Sequence, residues 1–315
     1  MNADKILKIT FIVFALSVVL AFVAVGVTMF RYPTQSHGKL VFEKAYENVD
    51  GVDKIEILSH GNITTLMAQN GRWVVKEADG YFANIKYLNS LMTDFNKSTY
   101  YAKQEFSEEN LDNYDLTKNA VTLKLYDDDK LLDEVILGKA VQNNIFHFMK
   151  PADENEIWLI DGTYNLPREF YSWIVQPVME LPVRMVEKIK TDDIVLQRYE
   201  EGMPFVHKMQ IYENVALLNY AKTILAENVL NADNFAKLKI PQVREITFII
   251  FQGLVINYKL YSQNDEYWLN INLSTTSLPK TMVNDYIKDN NIFFENWYFK
   301  LPQDQGRELM FTPLI

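Results

Sequence analysis

At 315 residues, with 48% hydrophobic and 13% aromatic side chains, the chain can bury one large core or two ordinary ones, and it is too apolar for a disordered protein. It has no cysteine, which excludes disulfide scaffolds, thiolate metal sites and cysteine nucleophiles. Its net charge of −10 becomes −12 once residues 1–31 are set aside, a field that repels nucleic acid, so no nucleic-acid partner is expected.

The first element is an uncharged run from Ile9 to Phe30, ITFIVFALSVVLAFVAVGVTMF, long enough to cross a hydrocarbon core of ~30 Å as a helix. Lys5 and Lys8 precede it and Arg31 follows, so the positive-inside bias puts the N terminus in the cytoplasm. A cleaved signal peptide is the competing reading. Its apolar core is usually shorter, ~7–15 residues, and Ala24-Val25-Gly26 makes a poor cleavage site, so an uncleaved transmembrane helix is expected within residues 1–31. Ser17, Ala21, Ala24 and Thr28 fall at i, i+4, i+7 and i+11, a face of small side chains suited to packing against a second membrane helix. Alanine and serine are also common in any membrane helix, which is the plainer explanation of the stripe.

Residues 32–48 lack a sustained period and contain Pro33 and Gly38, which reads as a linker. A first α+β unit is expected over residues 49–180. Ile55, Ile57 and Leu66 alternate with polar neighbours, and Asn70-Gly71 supplies a tight hairpin turn before Trp73-Val74-Val75. Ile85, Leu88, Leu91, Met92 and Phe95 recur at intervals of three and four, the pattern of a helix with one buried face. Alternation then returns at Val121, Leu123 and Leu125, at Leu132, Val135 and Leu137, and in runs near Phe146 and Trp158, predicting an antiparallel meander.

The same order recurs over residues 181–315, beginning with Val186-Glu187-Lys188-Ile189 where the first unit has Val52-Asp53-Lys54-Ile55. Val195, a helix carrying Leu217, Leu218, Ala221 and Leu225, and meander strands around Phe248, Tyr258 and Leu269 follow. The fold class these patterns predict is α+β: an N-terminal transmembrane helix, then two divergent repeats of a hairpin, helix and antiparallel meander.

The stretches VDKIEI, NGRWVV, NLDNYDLTKNAVTLKLYDDDKLLDEVILGK and EIWLID, with WYFKLPQDQGREL near the C terminus, resemble a bacterial family of membrane-anchored domains of unknown function. Units of that family read V-x-x-I-x-I, G-x-W, Y-G-L-x-x-P-x-x-x-V-x-L, L-G-K and V-Y-L-V. Tyr114-Asp115-Leu116 departs from Y-G-L, and Asn119 stands where proline is common; both are turn positions. The resemblance implies a single-pass protein of the bacterial inner membrane, with its bulk on the periplasmic side, often encoded beside gliding-motility-type ABC transporter subunits. It supplies no catalytic or cofactor-binding residues.

Asp127-Asp128-Asp129 has the look of a metal cluster, but calcium loops alternate their ligands and close with a glutamate at the twelfth position, which this run does not do. A hairpin bend is the better reading, because aspartate bonds its own local backbone in turns. His37, His60, His147 and His207 show no paired metal-ligand spacing. Trp73, Trp158, Trp173, Trp268 and Trp297 suit core positions better than a ligand platform, and the acceptor triplets at Asn62, Asn96 and Asn272 are chance matches. Hydrolase-elbow, phosphate-loop and dinucleotide glycine motifs do not occur. The sequence thus predicts no cofactor, no metal and no catalytic residue. The expected role is a non-catalytic binding or scaffolding domain in an envelope complex, with an envelope or transporter protein as partner. The alternative is an envelope hydrolase acting on polysaccharide or peptide through carboxylates from separate strands.

Overall fold

The computed structural model describes residues 38–311 apart from Gln142 and Lys280. Its strands and helices appear in an order that repeats. Helix α1 (Glu43–Glu47) precedes β1 (Lys54–Ser59), β2 (Asn62–Gln69), β3 (Arg72–Val75) and β4 (Tyr81–Phe82). Helix α2 (Ile85–Lys97), β5 (Tyr100–Gln104) and α3 (Glu108–Asn113) come next. A meander follows: β6 (Val121–Asp127), β7 (Lys130–Val141), β8 (Phe146–Pro151) and β9 (Ile157–Asp161). After β10 (Met179–Glu180) come β11 (Val186–Lys190), β12 (Val195–Gln197), β13 (Phe205–His207) and β14 (Gln210–Tyr212). Helix α4 (Ala216–Ala221), β15 (Thr223–Ile224), β16 (Asn228–Asn231) and α5 (Ala232–Leu238) lead into β17 (Gln242–Ile250), β18 (Leu254–Gln263) and β19 (Glu266–Thr275). The chain closes with α6 (Thr281–Asn290), β20 (Trp297–Lys300) and α7 (Gln303–Phe311).

The expected α+β class with an N-terminal transmembrane helix is corrected: the described part is mostly β, 42% strand against 26% helix, arranged in large antiparallel sheets. Among the described helices only α2, at 13 residues, runs beyond ten, whereas β7 runs to 12. The cause is the dominance of period-two alternation, as in β1, where every second residue is buried. Among the described residues no helix is long and apolar enough to cross a membrane. The run from Ile9 to Phe30, with Ser17, Ala21, Ala24 and Thr28, lies outside the described residues.

Two compact units form. The first holds the described residues up to Ile63 together with Asn89–Leu166, and the second holds Thr64–Leu88 together with those from Pro167 on. In the first, six antiparallel strands run β1-β6-β7-β8-β9-β5. Ile55, Ile57, Leu123, Leu125, Leu137 and Met149 fill one face of this sheet and are shielded from solvent. Phe42 packs on Phe95 of α2 with ring centres 4.6 Å apart, and the Ala45 backbone N–H of α1 donates to the Asp133 carboxylate at 2.8 Å.

In the second unit nine strands run β14-β13-β12-β11-β17-β18-β19-β20-β16. The run β11-β17-β18-β19-β20-β16 repeats the order of the first unit's six strands, and β12-β13-β14 repeats β2-β3-β4. The turn from β2 to β3 is made by Asn70 and Gly71, both left-handed at φ 52° and 74°, which matches the right-handed twist of the paired strands. β4 is part of this second unit and is buried there: the Tyr81 ring stands edge-on to Trp297 and Phe299, and its hydroxyl donates to the Phe293 carbonyl at 3.1 Å.

Candidate binding site

The second unit contains an apolar cavity of about 430 Å³ under helix α6. Its floor comes from the β17–β18 hairpin, where alternation turns Ile250 and Ile256 inward and Leu254 sits at the rim. Gly253 makes the hairpin turn at φ 92°; a Cβ there would come within 2.7 Å of Pro279, so the turn and the segment entering α6 approach closely because this residue has no side chain. Helix α6 then lays Met282, Val283 and Tyr286 over the floor at i, i+1 and i+4, one helical face. Val283 is buried, while Met282 is 65% exposed and marks the mouth.

The polar groups of this cavity are few. Burial pushes the Tyr286 phenol above its usual range, favouring the neutral hydroxyl. The Gln252 amide donates to Glu201 at 3.1 Å, while its Oε1 is buried with no hydrogen-bond partner among the described residues. Glu180 is the single carboxylate in the lining.

Three further cavities are lined by described residues. One of about 500 Å³, also in the second unit, sets Arg72 and Lys86 beside Trp73, Phe82 and Asn84, with the Arg72 guanidinium 5.4 Å from the centre of the Phe82 ring. Another, of about 520 Å³, lies around Asn231, Asn291 and Trp297 and contains one carboxylate, Glu295. The last, of about 580 Å³, surrounds the β1–β2 turn of the first unit and holds none. Two-carboxylate hydrolysis needs both groups on one bound substrate. Among the described residues none of these four cavities brings two together. The carboxyls that burial pushes upward, Asp94 and Asp133, stand outside them; each accepts a backbone N–H, from Thr163 at 3.3 Å and from Ala45 at 2.8 Å.

The residues that looked chemical in the sequence are dispersed. Asp127-Asp128-Asp129 forms the turn between β6 and β7, with Asp127 paired to Lys130 and Asp128 left-handed at φ 51°. The Asn48 amide donates to Asp127 at 2.7 Å and the Asp128 N–H donates to Asp53 at 3.1 Å. His37 lies outside the described residues. His60 sits in the β1–β2 turn, its Nδ1 2.9 Å from the Ser59 hydroxyl, and His207 is on β13 with its Nδ1 2.8 Å from the Val195 carbonyl oxygen. His147 is buried in the first unit against the edge of Tyr164. No group of three His, Asp or Glu side chains that could hold a metal occurs among the described residues. Trp158, Trp173 and Trp268 are buried, while Trp73 and Trp297 line cavities.

The apolar cavity is absent from the sequence reading. Met282, Val283 and Tyr286 follow Pro279 with a helical period, a signal present in the sequence, but nothing local says that the face covers a hairpin 30 residues upstream.

Fold and site together define a tandem antiparallel-sheet protein whose second unit holds an apolar cavity with one carboxylate, Glu180, among its described lining residues. Residues 73–246, from β3 into β17, match the family described as Domain of unknown function (DUF4340). That match covers more than half of the chain, and the chain belongs to this family. No curated protein and no solved structure matches it.

Proposed function

We propose that the chain is a non-catalytic binding component of a bacterial cell-envelope complex, working beside an ABC transporter, with its N terminus in the cytoplasm and its folded units on the periplasmic side of the inner membrane. The observation that carries the binding reading is the cavity under α6: apolar walls, an exposed Met282 at the mouth, and one carboxylate. Cavities of this size and lining hold apolar groups through desolvation, at roughly 25 cal/mol per Å² of apolar surface buried. The uncharged run from Ile9 to Phe30 and the net charge of −12 beyond residue 31 support the location.

The test is gentle detergent extraction of the full chain from its native membranes, with wild type and Met282→Asp compared. A transporter subunit should accompany the wild type, and its recovery should fall about tenfold in the variant, because a carboxylate at the mouth must be desolvated on contact. Extraction as a lone monomer, or release of sugar or peptide products from envelope polymers by the purified chain, would overturn the proposal.

A further inference from the structure

The cavity of about 500 Å³ beside the β2–β3 turn runs against the charge of the chain. The net charge is −10, yet the two charged groups in its described lining, Arg72 and Lys86, are both cations. Among the described residues neither has an ion pair or a side-chain hydrogen bond, and none of the other three cavities sets two Lys or Arg side chains together.

The neighbouring groups aim donors and a flat apolar wall at the same space. Asn70 and Gly71 turn the chain so that Arg72 opens β3, where its guanidinium lies over the Phe82 ring, 5.4 Å from the centre. Stacking covers one face of the guanidinium and leaves its N–H edges, a planar fork matched to the two oxygens of one carboxylate. Asn84, just ahead of α2, accepts the Lys86 N–H on Oδ1 at 3.1 Å, which turns its Nδ2 donor the other way. The start of this 13-residue helix adds positive potential. Gln176 is committed to Ala226, with Nε2 donating to the carbonyl at 2.6 Å and Oε1 accepting the N–H at 3.3 Å. Trp73 is half-buried, and among the described residues its indole has neither a ring partner nor a hydrogen bond. An aromatic face carries negative potential and draws polarised C–H groups.

We propose that this cavity binds an acidic pyranose. The carboxylate sits in the Arg72 fork with Lys86 beside it, the C–H face of the sugar ring lies on Trp73, and Asn84 Nδ2 donates to a ring hydroxyl. A bare phosphate would satisfy the cations and leave the indole uncovered; a neutral sugar would cover the indole and leave both cations unpaired. The volume lies within the ~300–1,000 Å³ of small-ligand sites. The site shares no lining residue with the cavity under α6, so it stands whether or not that cavity meets a transporter subunit.

The test is calorimetric titration of the full-length chain in mild detergent and low salt with trigalacturonate, N-acetylmuramic acid, maltotriose and inorganic phosphate. At least one acidic sugar should bind about tenfold tighter than maltotriose and phosphate do, and the better of the two tells whether the carboxylate belongs on the ring or on an ether side arm. Arg72→Gln with Lys86→Gln should weaken that binding about tenfold. Both side chains are exposed, so melting curves of this variant should match wild type. Trp73→Leu should weaken it about fivefold through loss of the flat wall. No binding of either acidic sugar, equal binding of maltotriose, equal binding of phosphate, which would make this an ion site only, or binding unchanged in Arg72→Gln with Lys86→Gln or in Trp73→Leu would each overturn the proposal.

Discussion

The Asp79 carboxylate holds the Asn234 side-chain amide with both oxygens at 2.7 Å and takes the Asn231 backbone N–H at 2.8 Å. Asn231 in turn caps α5 by accepting the Asn234 N–H at 2.9 Å, so one carboxylate ties the turn before β4 to the start of a helix 150 residues away in sequence. Removing it leaves two donors that must find water in a half-buried site. Asp79→Ala should lower stability by about 1–3 kcal/mol. Calorimetric melting checks this, and a loss well under the lower figure would mean that solvent replaces the carboxylate.

Arg198 is buried and has no salt bridge among the described residues; its guanidinium serves three main-chain carbonyls. It donates to Val186 at 2.6 Å, to Met203 at 3.3 Å and to Val183, and it lies 4.5 Å from the centre of the Phe205 ring. A planar fork can reach all three, which a lysine ammonium cannot. Arg198→Lys should therefore cost about 2–4 kcal/mol despite keeping the charge. The readout is the urea midpoint with an unchanged slope; a shift near zero would show that the carbonyls are satisfied without the fork.

What the sequence made legible was local. The period-two pattern at Val121, Leu123 and Leu125 marks β6, and the Asn70-Gly71 pair marks the hairpin because only a few residue types accept two left-handed positions. In α2, Leu88, Leu91 and Phe95 are buried as their spacing predicts, while Ile85 remains 55% exposed. The class was misjudged because segments such as Ala216–Ala221 form only single helical turns or little more, and their share is small beside strands of nine to twelve residues. The site was illegible for a different reason: the cavity needs the β17–β18 hairpin and α6 to meet, and the seating of Tyr81 needs β4 and β20 to meet across more than 200 residues. Arg198 gave no signal at all, since a lone arginine after a short strand reads as solvent-facing.

The aspartates at the β6–β7 turn give a metal-related prediction. Asp127 accepts the Asn48 amide and Asp128 is left-handed, so the carboxylates are organised by the turn. Calcium at millimolar concentration, or its removal with a chelator, should leave the melting temperature unchanged. Asp128→Gly should raise stability by about 0.5–1 kcal/mol, since glycine adopts positive φ without the Cβ penalty. A calcium-dependent rise in melting temperature that the Asp128→Gly and Asp129→Asn variants abolish would reverse this reading.

His147 sets the acid sensitivity of the first unit. It is buried beside Tyr164, 5.5 Å between ring centres, is hydrogen-bonded to the Gly138 backbone, and has a buried Nε2 without a hydrogen-bond partner among the described residues. Burial pulls its pKa below the ordinary 6.5, against the smaller pull of Gly138 and the nearby Asp94 carboxylate. The unfolded chain then binds a proton at higher pH than the folded one does. The stabilising contribution is fully present above about pH 6.5 and is lost as pH falls toward the folded value. Asp94 acts with the opposite sign: burial raises its pKa, so its contribution is present below the ordinary 3.8 and is lost as pH rises through the folded value. Asp133, raised by burial, acts with the sign of Asp94. Glu156, lowered by its bond from Lys103, keeps its contribution until pH falls below the ordinary 4.5. The loss between about pH 7 and pH 5.5 therefore belongs to His147. In His147→Phe, urea midpoints should change less between about pH 7 and pH 5.5 than in wild type. An identical pH slope in the variant would move the acid-sensitive group elsewhere.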